Sequence, residues 1–238
     1  MKKILLIITL IFIITLAKAQ SFEVSVQANG GLSGYFGNST VSATNLNVDN
    51  ATNHTGYPNG TGNVLAFSYG ADIQWQYTFK SRFILGLQTG YELLASKVDI
   101  NGVYDGNGSG ETSATGYAED HDGFINISPY IGYRFNLHKV RLDVLPGFDL
   151  AFGVNSWHTV NVTASDNTYY NKHTDNIYGN PDNDVRVRLG LAAYYQKFGI
   201  TASYSRGLTN FNSGALADGP VPPLYRQVFR LGLSYRIK

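Results

Sequence analysis

Two places in the sequence hold residues that could do chemistry. Ser156 and His158 stand two positions apart, so on an extended strand both side chains point the same way. A hydroxyl beside an imidazole is the pairing that activates a nucleophile. The parity they share with Val154 would set the pair near a membrane surface, where a lipid-modifying enzyme needs it. No matching acid accompanies them, and an ordinary polar loop entrance is the stronger explanation. Asp120-His121-Asp122 offers an acid–histidine pair, but inside a glycine-rich stretch. His54, His121, His138, His158 and His173 show no ligand spacing, and Asn180-Pro181-Asp182-Asn183-Asp184 falls short of a full calcium loop. No catalytic residue, cofactor or metal is expected.

A larger set of charges is more informative. The acids Glu23, Asp72, Glu92, Asp143, Asp149 and Asp184 and the arginines Arg134, Arg141, Arg186, Arg188, Arg230 and Arg236 all fall on the polar side of alternating segments. The lysines Lys80, Lys97, Lys139 and Lys197 stand at segment ends instead. Arginine's planar fork pairs bidentately with carboxylates and is favoured where ion pairs are buried. Six acids facing six arginines therefore predict a neutralised internal network rather than a solvated face.

The elements that position these charges follow a period of two. Eight segments alternate: Phe22 to Phe36, Val64 to Phe79, Phe83 to Ser96, Phe124 to Asn136, Val140 to Asn155, Asp184 to Gln196, Phe198 to Leu208, and Gln227 to Ile237. Three connections are tight, at Lys80-Ser81, Leu137-His138-Lys139 and near Lys197. Four are long, at Gly37 to Asn63, Val98 to Gly123, Ser156 to Asn183 and Thr209 to Arg226. Their Asn, Gly, Ser, Thr and Asp content predicts loops with no core of their own. This is an up-and-down meander of eight strands, with four long loops at one end and three short turns at the other.

A soluble barrel and a membrane barrel share this alternation with the faces exchanged. Several segments run 13 to 16 residues, against about 5–6 for a soluble strand and about 9–11 to cross the hydrocarbon of a bilayer. The apolar side carries Leu, Ile, Val, Phe, Tyr and Trp, while the polar side carries many glycines, which suit a crowded lumen. Trp75, Tyr77, Phe79, Phe83, Tyr133, Phe135, Tyr195, Phe198 and Tyr235 flank the short turns or the C-terminus. At one height they would form an interfacial aromatic girdle. The greasy face is expected outside, against lipid. Pro129 and Pro146 fall within strands, where the missing N–H predicts a local bulge at each.

Lys2-Lys3, the apolar run Ile4 to Leu16 and Ala17-Lys18-Ala19 read as a cleaved secretory signal over residues 1–19. Residues 20–238 then form one barrel. The chain has no Cys, so it uses no disulfides. Setting aside Lys2, Lys3 and Lys18, the 18 basic residues become 15 against 17 acidic ones, a formal net charge of −2. Nothing in that balance suits a nucleic acid.

"AKAQ" at the end of the signal, "PYIGYRFN" (Pro129 to Asn136) and "FRLGLSYRIK" (Phe229 to Lys238) resemble the small bacterial outer-membrane β-barrel family. Its members are often labelled porin-family or PorT-like proteins, similar in topology to the OmpA and OmpX barrels. The resemblance spans the mature chain. It implies a Gram-negative outer-membrane location, contact with outer-membrane lipid and lipopolysaccharide, and delivery by the barrel-assembly machinery. The expected role is a closed scaffold whose loops meet an extracellular ligand in binding, adhesion or envelope integrity. A narrow solute channel gated by the arginine–acid network and a lipid-modifying membrane enzyme are the alternatives.

Overall fold

The structure, a computed structural model, describes residues 21–49, 55–104, 110–175, 179–212 and 222–238. The signal segment and His54 lie outside these. Thirteen strands form: β1 (Ser21–Phe36), β2 (Thr40–Val41), β3 (Ala43–Asp49), β4 (Thr55–Pro58), β5 (Thr61–Gly62), β6 (Val64–Thr78), β7 (Phe83–Tyr104), β8 (Glu111–Leu137), β9 (Val140–Ala164), β10 (Tyr169–Asp175), β11 (Asp184–Tyr195), β12 (Phe198–Gly207) and β13 (Tyr225–Arg236). Eight of them close a ring in the order β1-β6-β7-β8-β9-β11-β12-β13, each antiparallel to its neighbours, with β13 paired back to β1. Closure removes every free edge from the ring. The three tight turns each place one non-glycine residue at positive φ: Arg82 (68°), His138 (56°) and Gln196 (53°).

The faces sort as the alternation predicts. Leu85, Leu87, Ile127, Ile131, Phe148, Leu189, Ile200, Leu231 and Leu233 are exposed on the outside of the ring. Glu23, Glu92, Arg134, Asp143, Asp149, Asp184, Arg186, Arg188 and Arg236 are buried inside it. A belt of large apolar side chains around a polar lumen fits a hydrocarbon solvent and no other. Glycines make the lumen wide enough for its aromatics: a Cβ on Gly86 would collide with the Tyr130 ring, and one on Gly199 with Tyr194.

Three expectations need correction. First, three of the four long connections, at Gly37 to Asn63, Val98 to Gly123 and Ser156 to Asn183, are not coreless loops among the described residues. β7, β8 and β9 run on for 22, 27 and 25 residues, and β3 pairs parallel with the far end of β7 while β10 pairs with the far end of β9. This extension has its own core of Leu46, Val48, Val98, Ile100, Val103, Ala118, Val160 and Val162. Its apolar residues are spaced two apart among Thr, Asn and Gly, which disguises the strands as turn-rich sequence.

Second, neither proline makes a bulge. The β8–β9 register runs Ile127↔Leu150, Tyr130↔Gly147, Tyr133↔Val144 without a shift. Pro129 and Pro146 both sit in this ladder, which simply skips rungs on either side of Tyr130↔Gly147. A missing N–H opens a gap in pairing without forcing an extra residue.

Third, the one register shift in this ladder lies at Gly123/Phe124, where Phe124 pairs Gly153 and Gly123 pairs Asn155, so Val154 is the extra residue. A bulge reverses side-chain parity beyond it. Phe148 and Phe152 face out, whereas His158, Val160 and Val162 beyond the bulge are buried.

Leu46 is fully buried in the extension core. Leu46→Ala is expected to cost about 2–5 kcal/mol of local stability. Limited proteolysis should then cut the 43–62 segment faster while the heat-modifiable gel shift of the barrel stays unchanged.

Candidate functional site

The lumen is filled by ion pairs in three tiers. Nearest the short turns, Arg134 stands between two carboxylates. Its Nη1 and Nη2 donate to Glu23 Oε1 and Oε2 at 2.8 and 2.7 Å, and its Nε and Nη2 to Asp143 Oδ1 and Oδ2, both at 2.7 Å. β1, β8 and β9 supply these residues, so one guanidinium ties the two sides of the lumen together. Gln76 donates to Glu23 at 3.2 Å and to Asp143 at 3.1 Å. Arg236 reaches Glu23 at 3.0 Å and lies 4.0 Å over the Tyr194 ring. Arg141 is the outlier: its side chain is 36% exposed, it stands 3.6 Å from Glu23, and it donates to the Gln196 carbonyl at 2.7 Å.

In the middle tier, Arg186 donates to Asp184 at 2.6 Å and to Glu92 at 2.5 Å. Arg230 donates to Glu92 at 2.8 Å and stands 3.3 Å from Asp149, which Arg188 also approaches at 3.3 Å. Ser128 and Ser205 donate to the remaining sites of Asp149 at 2.8 and 2.7 Å. Asp72 accepts from Asn29 instead of meeting an arginine. Two cavities left between these side chains measure about 40 Å³ and about 10 Å³. That is room for a few waters.

The top tier was missed by sequence reasoning. Arg226 is fully buried and bonds Asp122 and the Tyr35 hydroxyl, with its guanidinium 4.4 Å over the Tyr35 ring. The even parity of β13, Arg226-Val228-Arg230, was the signal. Both Arg226 and Asp122 fall in segments whose composition predicts loops.

Above this tier, the two candidate chemistries rearrange. The Val154 bulge turns His158 inward, where its Nδ1 lies 2.6 Å from Asp120. Ser156 Oγ donates to the Gly179 carbonyl at 2.8 Å, so the serine and the histidine, weighed above as the weaker reading, are each engaged with other partners. His121 faces outward and stacks on Trp157, centroids 5.0 Å apart at 15°. Asp184, the last residue of the calcium-like stretch, is spent on Arg186. Among the described residues no three His, Asp or Glu side chains gather closely enough to hold a metal.

At the short-turn end the predicted aromatics meet in pairs: Tyr77–Phe79 at 4.9 Å, Phe83–Tyr133 at 5.5 Å, Tyr133–Phe135 at 5.1 Å and Phe198–Tyr235 at 5.2 Å. Tyr195 pairs in register with Phe198, and Trp75 lies one turn of the pleat above Tyr77.

A closed ring, an apolar coat and an ion-paired lumen are together decisive for the architecture. The chain is built as a closed eight-stranded transmembrane β-barrel. No protein-family model matches it, and the comparison with curated proteins found no match. Among solved structures it is similar to Ail, the attachment invasion locus protein of Yersinia pestis, in complex with the heparin analogue sucrose octasulfate, at 11% identity over 91% of this chain and 99% of that one, TM-score 0.34. Neisserial surface protein A is similar at 11% identity over 92% and 99%, TM-score 0.37. The outer-membrane protease OmpT from Escherichia coli is similar at 11% identity over 92% and 99%, TM-score 0.40.

Two outcomes follow from this barrel's charges. Arg134→Met strands Glu23 and Asp143 in the lumen and should lower the unfolding free energy by about 3–5 kcal/mol, read as a lower urea midpoint. Arg141→Met, at the half-open edge, should change it by no more than about 1 kcal/mol. The second concerns His121, on the part of β8 beyond the apolar belt. Burial holds its pKa below the ordinary histidine value, against the opposing pull of Glu119, Asp120 and Asp122, and His173 adds to the lowering. Its neutral form is therefore the folded one. The stack's contribution is complete above about pH 6.5 and is lost as pH falls below that toward the folded pKa. In a Trp75→Phe variant, the fluorescence of Trp157 should change on acidification through this range.

Proposed function

We propose that this barrel sits in the outer membrane of a Gram-negative cell, exported through a cleaved signal peptide, and works as a closed scaffold for binding outside the cell. The observation that carries this reading is the packed lumen: ion pairs bridge it at three levels, and the two cavities described between them have room for a few waters. A channel would need those pairs to part. Breaking a buried pair costs several kcal/mol, which disfavours a gate built from all three tiers.

The short-turn end, with its paired aromatics, is the periplasmic one, and Trp75, Tyr77, Phe79, Phe83, Tyr133, Phe135, Tyr195, Phe198 and Tyr235 lie at the lipid interface there. The β3, β4, β7, β8, β9 and β10 extension then stands outside the cell, a rigid platform rather than a set of loops. Its ligand is extracellular, and the barrel's coat meets outer-membrane lipid, including lipopolysaccharide. The barrel-assembly machinery inserts it, and nucleic acid is not a partner.

Planar-bilayer recording of refolded protein tests this directly. No steady conductance of porin size is expected, with a heat-modifiable gel shift confirming that the same sample is folded. Steady conductance that changes in Arg134→Ala would establish the channel instead.

A further inference from the structure

We infer that the short-turn end of the barrel is a collar for the headgroups of anionic phospholipids in the leaflet around it. The cations at the segment ends take no part in the lumen network, and the fold brings most of them to this one end. Lys80 and Arg82 stand in the β6–β7 turn, Lys139 in the β8–β9 turn and Lys197 in the β11–β12 turn, all exposed. Lys238 stands where β13 meets β1. Every strand junction at this end therefore carries a cation, spread around the ring rather than gathered on one side.

The exposed charges of the described residues are sorted by end. Asp99, Glu111, Asp166, Asp175 and Asp182, the exposed acids, all lie at the opposite end. Of the exposed lysines and arginines, Arg206 alone lies away from the short turns. The acids nearest the turns, Glu23 and Asp143, are buried in the lumen. Lys97, on the extension, stands 3.2 Å from Asp99. Among the described residues none of Lys80, Arg82, Lys139 and Lys197 pairs with a carboxylate.

Their neighbours fix their height. Lys80 follows Phe79, Arg82 precedes Phe83, Lys139 precedes Val140 and Lys197 precedes Phe198. Phe83 and Phe198 belong to the exposed coat, at 59% and 70%. Long cationic side chains lay their stems on such a coat and hold their heads in the interface. An apolar belt, then aromatics, then cations repeats the order of an anionic lipid from chain to head. Each Lys or Arg near an anionic surface adds roughly fivefold to the attraction. A soluble polyanion fits less well, because it touches one side of a body, whereas these cations circle the rim of the coat. This deepens the lipid contact proposed above, and it rests on that reading for placing this end at a lipid interface.

Trp75 supplies the reporter. It stands on the coat in register with Val24 and Leu87, just inside the β6–β7 turn, where the chains of a collar lipid pass. The test uses the refolded full chain carrying Trp157→Phe, in vesicles of equal parts phosphatidylglycerol and phosphatidylcholine, with one or the other brominated on its chains. Bromine quenches tryptophan by contact, so the ratio of quenching reports which lipid lies beside Trp75. Phosphatidylglycerol should be favoured by at least about threefold at low salt, falling toward unity at about 1 M salt, where charges are screened within about 3 Å. Lys80→Gln with Arg82→Gln should remove most of the preference, while Lys97→Gln, on the extension, should leave it unchanged. If the double variant does not fold, the salt series on the unaltered collar decides alone. Equal quenching at low salt, a preference indifferent to salt, or one that survives the double variant would overturn the collar. Equal quenching with binding of soluble polyglutamate would overturn it in favour of a soluble polyanion. Quenching by neither lipid would overturn the lipid interface itself, and the collar with it.

Discussion

The structure depends on the narrowness of its ring. Eight tilted strands enclose a lumen that side chains can only just fill. An inward polar group there has no bulk water to fall back on, so its partners must come from across the barrel. The arginine fork meets that need because it makes two parallel bonds to each carboxylate without bending. Arg134 does so twice, to Glu23 from β1 and to Asp143 from β9. Each such bridge fixes strands that are distant in sequence, and the barrel's roundness is maintained from within.

The balance of charge follows the same constraint. Adding Arg226 and Asp122 to the six acids and six arginines read from the sequence keeps the lumen neutral. Neutrality holds over the whole lumen but not tier by tier. Near the short turns Arg134, Arg141 and Arg236 outnumber Glu23 and Asp143, while in the middle Asp72, Glu92, Asp149 and Asp184 outnumber Arg186, Arg188 and Arg230. Arg141 at the half-open edge is the arginine that water can solvate, and Asp72 is the acid that takes an amide in place of a guanidinium. The excess charges sit where the packing is least complete.

The legible part of the fold was the part that lies in lipid. There the period of two is enforced on both sides, because hydrocarbon outside and a crowded lumen inside leave no choice at either face. Beyond the belt, water tolerates Thr, Asn and Gly on the outer face, and Val98, Ile100, Val160 and Val162 lost their contrast against that background. The Val154 bulge was hidden for a related reason. A single extra residue leaves composition untouched, yet it moved Ser156 and His158 out of the frame in which they had been read. Arg226 stood one residue outside the last alternating segment, where its parity was already visible.

That bulge connects the barrel to the extension. Without it, the even residues of β9 would continue to face outward, and His158 would stand beside Trp157's side of the sheet. With it, His158, Val160 and Val162 turn inward together. The two valines close the core that holds the extension upright, while His158 joins Asp120 beneath. One inserted residue therefore sets both the platform's core and the His158–Asp120 contact, so that removing the bulge cannot alter that contact without also unmaking the extension above it.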